Sequence, residues 1–76
     1  MRRIDFLFKI MKCMKGYADK TEVKEEYDFL LVKHNGDDEE VQKEMLSDIQ
    51  EWLCWNFTST DPHHDITNRL YKENLI

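Results

Sequence analysis

The sequence predicts an all-α domain, a small bundle of three longer helices plus a short C-terminal helix, and three observations carry that expectation. Apolar residues recur at intervals of three and four along four separate segments. Glycine occurs twice and proline once in 76 residues, too few for the turns of a β-sandwich or for a disordered chain. Residues that start and stop helices stand between the segments. A single domain spanning 1–76 fits this length. A chain so short buries only about 60 to 65 % of the surface that its unfolded form exposes, so self-association is a natural supplement to its stability.

The first helix is read from a wheel over residues 4–18. On a helical wheel Asp5, Lys9, Lys12 and Gly16 share one narrow arc, and apolar side chains, from Ile4 and Phe8 to Met14 and Tyr17, cover the rest. That distribution predicts a mostly buried helix. Gly16 is its stop, because glycine takes the left-handed conformation at little steric cost. "DKTE" then reads as a capping box, with Asp19 as N-cap and Glu22 three residues on, opening a second helix to about His34. Val23, Tyr27, Leu30 and His34 line one face of it. Phe29 and Val32 point elsewhere, so packing on two sides is expected. The competing fold for this stretch is a hairpin turning at Asn35-Gly36. The "DDEE" that follows offers no alternating apolar strand, so the Asn-Gly pair is read as a helix stop.

The third helix begins at Asp37 or Asp38, whose side chain can accept the orphan amides of the first turn, and runs to about Asn56. Its core stripe is Val41, Met45, Leu46, Ile49, Trp52 and Leu53. "TSTDPHHD" breaks the chain. Asp61-Pro62 supplies a cap and a proline at the first position of a short fourth helix reaching about Asn74, with Ile66, Leu70 and Tyr71 as core contacts.

The charge is unevenly placed. Residues 1–20 carry six bases against two acids, and the remainder carries five against fourteen, so the net charge of −5 combines a basic start with an acidic body. Such a body repels phosphates, which disfavours direct nucleic acid binding and favours a basic protein partner. A helix-turn-helix over 20–56 is disfavoured for the same reason, since its recognition helix would begin with four acids. The opening "MRRIDFLFKIMKC" resembles a signal peptide, yet Asp5, Lys9 and Lys12 interrupt its apolar run. An amphipathic helix bearing Arg2, Arg3, Lys9, Lys12 and Lys15 could lie on an anionic membrane, but the domain needs that helix for its core, so no membrane contact is expected. Cys13 and Cys54 have no metal-binding or redox spacing and read as free thiols of a cytoplasmic protein.

One surface stands out. Glu40, Glu44, Asp48 and Glu51 fall on the side of the third helix opposite its core stripe, forming a linear acidic ridge with carboxylates at successive turns of about 5.4 Å. Trp55 lies among them on the wheel. A tryptophan rimmed by carboxylates has the make-up of an interface anchor, and the ridge roughly repeats the phosphate spacing of a nucleic acid strand. The plainer alternatives are a solvated acidic face and a Trp55 covered by the fourth helix.

Other chemistry is sparse. Cys54, His63, His64 and Asp65 are the sole grouping with metal-ligand character, and adjacent histidines seldom reach one ion together, so neither metal nor cofactor is expected. His34 reads as a structural histidine, and Cys13, beside Ile10 and Tyr17, as a buried inert thiol. No nucleophile with a matching base and no glycine-rich phosphate loop is present, so no catalytic residues are assigned and the protein is expected not to be an enzyme. In size and charge alone the chain is similar to small inhibitors and modulators such as nuclease immunity proteins and phage-encoded antagonists of host defence or transcription. The expected function is inhibition or modulation of a basic protein, nucleic-acid-binding ones included, through Glu40, Glu44, Asp48, Glu51 and Trp55. The alternative is a homodimeric structural or regulatory module whose acids only confer solubility.

Overall fold

A computed structural model describes residues 1–56 and 60–76. The described residues form four helices and no strand: α1 (Arg3–Cys13), α2 (Lys20–Lys33), α3 (Asp38–Asn56) and α4 (Thr60–Lys72). The fourth helix is not the short one. It has 13 residues against 11 in α1, because the first helix ends at Cys13, three residues before its expected stop at Gly16. Past Cys13 the chain leaves the helical ladder, the Tyr17 and Ala18 amides both donate to the Met14 carbonyl, and Gly16 sits at φ +92°, where a side chain would be strained.

The remaining boundaries show which local signals act. Asp37 caps α3, its Oδ1 accepting from the Glu39 and Glu40 amides at 3.1 and 3.4 Å. Asn35-Gly36 is a helix stop and not a hairpin turn: Asn35 is left-handed at φ +55°, and the Gly36 and Asn35 amides donate back to Leu31 and Val32 in a Schellman motif. Asn74, at φ +58°, ends α4 in the same way, with the Leu75 amide donating to the Leu70 carbonyl at 2.9 Å. Asp19 stands at the N-cap of α2, but its side chain makes no capping bond, so the expected capping box is not formed. Helix α4 begins at Thr60, which places Asp61 inside the helix and Pro62 in its first turn, where a missing N–H costs nothing.

Every helix contributes to one core. Phe6, Ile10, Cys13 and Met14 of the first segment meet Val23, Tyr27 and Leu30 of α2, Val41, Met45 and Leu53 of α3, and Ile66 and Leu70 of α4. Helix α1 packs on α2 and α4, and α3 packs on the same two. Two polar clasps fasten this arrangement. In the first, the buried Tyr27 hydroxyl donates to Asp38 Oδ1 at 2.6 Å, Arg3 pairs with the same carboxylate at 2.9 Å, and Gln42 donates to Tyr27 Oη and to the Met1 carbonyl. Gln42 is itself buried, a position the apolar pattern does not mark. In the second, Arg69 of α4 donates to the Cys13 and Lys15 carbonyls at 3.1 and 2.7 Å, satisfying the negative end of α1, and is held by Asp65, which also accepts from Tyr17.

The wheel overstated burial in three places. Ile4 and Phe8 of α1 are 72 % and 62 % exposed, so that helix is not mostly buried. Phe29 and Val32, at 65 % and 81 %, show that α2 does not pack on a second side, and Tyr71 is exposed on α4. With only four helices, each has neighbours over one arc, and apolar residues outside that arc meet water. No helix of the described residues is long and apolar enough to cross a membrane.

Candidate partner-binding surface

Trp55 is 84 % exposed, so it is not covered by α4. The four carboxylates expected to form a uniform row beside it divide into different environments. Glu40 and Glu51 are exposed, Glu40 lying 3.8 Å from Lys43. Glu44 does not face open solvent. Its Oε1 accepts from Lys33 at 2.6 Å and its Oε2 contacts His34 Nε2 at 2.8 Å, so both oxygens are committed to the C-terminal end of α2. The bonds from Lys33 first and His34 second hold the Glu44 carboxyl below its ordinary value. Glu44 is therefore a staple between α2 and α3. His34 is the C-cap residue of α2, its backbone N–H donating to the Leu30 carbonyl while its ring meets Glu44.

Asp48, one turn on, is half-buried and has no hydrogen bond or ion pair among the described residues. Burial, and then the charges of Glu44 and Glu51, raise its carboxyl above the usual aspartate value. It stands on the edge of a groove of about 550 Å³ between α2 and α3, closed at one end by the C-terminal part of α1. Ile10, Met14, Val23, Met45, Ile49 and Trp52 supply apolar walls. Glu22, Glu25, Glu26 and Phe29 line the α2 side. Among the described residues that line it there are four carboxylates and no cation, and none of the four forms a salt bridge or side-chain hydrogen bond, although the charge of Lys33, outside the lining, reaches Asp48 and Glu26.

Glu22, Glu25, Glu26 and Phe29 follow the spacing i, i+3, i+4, i+7, a single face of α2 that a wheel displays. The apolar pattern directs Phe29 to packing, whereas it is exposed and shares this face with the three glutamates. The acidic surface thus extends across two helices, with Glu22, Glu25 and Glu26 joining Asp48 at the groove, Glu51 one turn from Trp55, and Glu40 near the opposite end of α3.

The remaining candidates stay apart. Cys54 is an exposed free thiol, and Cys13 is fully buried, which pushes its thiol up. His63 and His64 are exposed with ring centroids 6.3 Å apart. Asp65 is occupied by Tyr17 and Arg69. Among the described residues no three His, Cys, Asp or Glu side chains come together as metal ligands. Comparison with protein-family models, with curated proteins and with solved structures found no match to this chain, so what it does has to be read from the chemistry of its own surface.

Proposed function

We propose that this chain is a small non-catalytic cytoplasmic protein, a helical bundle that inhibits or modulates a basic partner of the nucleic-acid-binding kind, without contacting nucleic acid itself. The observation that carries it is the exposed indole of Trp55, one turn from Glu51 on a helix whose outer side bears Glu40 as well. A bare tryptophan beside an exposed carboxylate offers a large apolar area together with charge that draws and orients a cationic surface. Glu44 serves as scaffold in this scheme, because its charge is spent on Lys33 and His34.

The test is affinity capture from cell extract with the wild-type chain and with Glu51→Lys/Trp55→Ala, identifying bound proteins by mass and measuring their nucleic acid binding with and without the chain. A basic protein that is released by modest salt, loses about tenfold in capture by the variant and binds nucleic acid less well when the chain is added supports the proposal. Equal capture by both chains removes it.

The exposed pair Ile4 and Phe8, with Met1 beside them, favours a second possibility, a homodimer joined through α1. Sedimentation showing a strict monomer at several hundred micromolar eliminates the dimer.

A further inference from the structure

The groove between α2 and α3 is a site distinct from the Trp55 surface, and its chemistry is specific. We propose that it seats one face of a cationic amphipathic helix of the partner, whose apolar side chains enter against Phe29, Met45 and Ile49 while its lysines or arginines pair with Glu22, Glu25 and Glu26 on one rim and Asp48 on the other. The seat rests on the proposed function in one respect, that the partner is basic.

Three features select this occupant. The α2 rim places carboxylates at Glu22 and at Glu25-Glu26, one helical turn of about 5.4 Å apart, which matches cations spaced i, i+4 on a helix lying alongside. A peptide bound by strand addition finds no sheet edge to pair with, since the described residues contain no strand. Four unpaired carboxylates with no cation among the described lining residues repel phosphate, so nucleic acid and anionic lipid are disfavoured occupants.

A second copy of this chain is also a poorer fit. The outer side of α1 is apolar and basic, but most of its cations are engaged: Arg2 with Asp5, Arg3 with Asp38, Lys9 with the Glu73 carbonyl and Lys12 with the Glu73 carboxylate. A partner helix with uncommitted cations offsets the crowding of Asp48, where α1 of another copy has few charges left to give. The size of the groove agrees with the same arrangement. It holds the side chains of one helix face and not the helix itself, which is about 10 Å across.

The experiment titrates the full chain with a synthetic 18-residue leucine-lysine peptide patterned as an amphipathic helix, and with a peptide of identical composition whose order is scrambled. Affinity is measured by calorimetry and the contact surface by amide and indole NMR shifts. The expected result is shifts centred on Phe29, Ile49 and the Trp52 indole, with the patterned peptide binding at least tenfold more tightly than the scrambled one. Phe29→Ala and Glu26→Lys, both at exposed positions, should each weaken that binding severalfold while leaving far-UV circular dichroism unchanged. Equal affinity for the two peptides, or shifts confined to Trp55 and Glu51, would overturn the groove as a helix seat. Concentration-dependent self-association that shifts the groove residues and is abolished by Phe8→Asp would overturn it in favour of a second copy. Peptide binding at the groove without capture of any basic protein would support the seat and sink the proposed function; capture that depends on Trp55 with a silent groove would do the reverse.

Discussion

Asp38 and Asp48 are the same residue type on the same helix, and the protein treats them in opposite ways. Asp38, in the first turn of α3, accepts from Arg3 and Tyr27, and those bonds hold its carboxyl below the ordinary range. Asp48 accepts from nothing among the described residues, and burial beside Glu44 and Glu51 pushes it up. The first carboxylate stabilises the fold by being charged, and the second strains it by being charged. An acid that a fold leaves in the second condition is poised for a cation from outside, whereas an acid in the first condition has nothing left to offer. By that criterion Glu44 belongs with Asp38, although its sequence position places it in a row with Asp48.

The largest blow to the satisfied side is Tyr27→Ala. It removes a fully buried ring packed 5.8 Å from Phe6 and leaves the carboxylate of Asp38 with Arg3 alone on its inner side. A loss of about 3 to 5 kcal/mol is expected in urea unfolding, enough to leave a domain this small largely unfolded at 37 °C. A loss below 1 kcal/mol would mean that the clasp is not what joins α2 to the start of α3.

Arg69→Ala should come next, at about 1 to 3 kcal/mol, because the Cys13 and Lys15 carbonyls lose their donor and Asp65 keeps only Tyr17. Thermal melting should report this as a drop of roughly 4 to 8 °C for each kcal/mol. A variant that melts with the wild type would place the attachment of α4 in its apolar contacts alone.

The pH dependence sharpens the contrast between the two aspartates directly. Folded-state values for Asp38 and Glu44 lie below their unfolded values, so their contribution is present above about pH 4 and is lost as pH falls through the lowered folded values. For Asp48 the sign reverses: its folded value is raised, so the fold is favoured while the group is protonated and is penalised as pH rises past the unfolded value. In chemical unfolding between pH 2 and 7, Asp38→Asn should flatten the acid limb. Asp48→Asn should raise stability at neutral pH and should also weaken binding of the leucine-lysine peptide. An Asp48→Asn chain that is less stable at pH 7 would show that this carboxylate is paired in solution.

The smallest effect belongs to Val32→Lys, at an 81 % exposed position on the outer side of α2. A change within about 0.5 kcal/mol is expected, with no change in solution mass. A larger loss, or a shift in mass, would show that this apolar side chain is covered by another copy.

Much of the secondary structure was legible because its causes are local. Asp37 and Asn35-Gly36 act on amides and carbonyls within a few residues of themselves, and each does what its position implies. Asp19 shows the limit of local inference, since a cap-forming residue in the right place makes no capping bond. The candidate surface was legible only in outline. Trp55 and Glu51 stand where the wheel puts them, but the wheel directs Glu44 to the acidic ridge, whereas it pairs with Lys33 and His34, and a wheel of α3 alone contains none of the α2 carboxylates at the groove.

From composition and spacing alone, the sequence determined that the chain would be helical, where most helices would end, the centre of each core stripe though not its edges, and that its body would be acidic. Those properties depend on propensity, on caps and on apolar periodicity, all of which act over one or two turns. Tertiary structure decided which charges are spent and which are free. Lys33 and His34 reach Glu44 only because α2 and α3 pack side by side, and Glu22, Glu25 and Glu26 come to share a groove with Asp48 for the same reason. A helical wheel gives each side chain a direction around its own axis, but it says nothing about which neighbour occupies that direction. In a domain of four helices, the neighbour determines whether a carboxylate holds the fold together or waits for a partner.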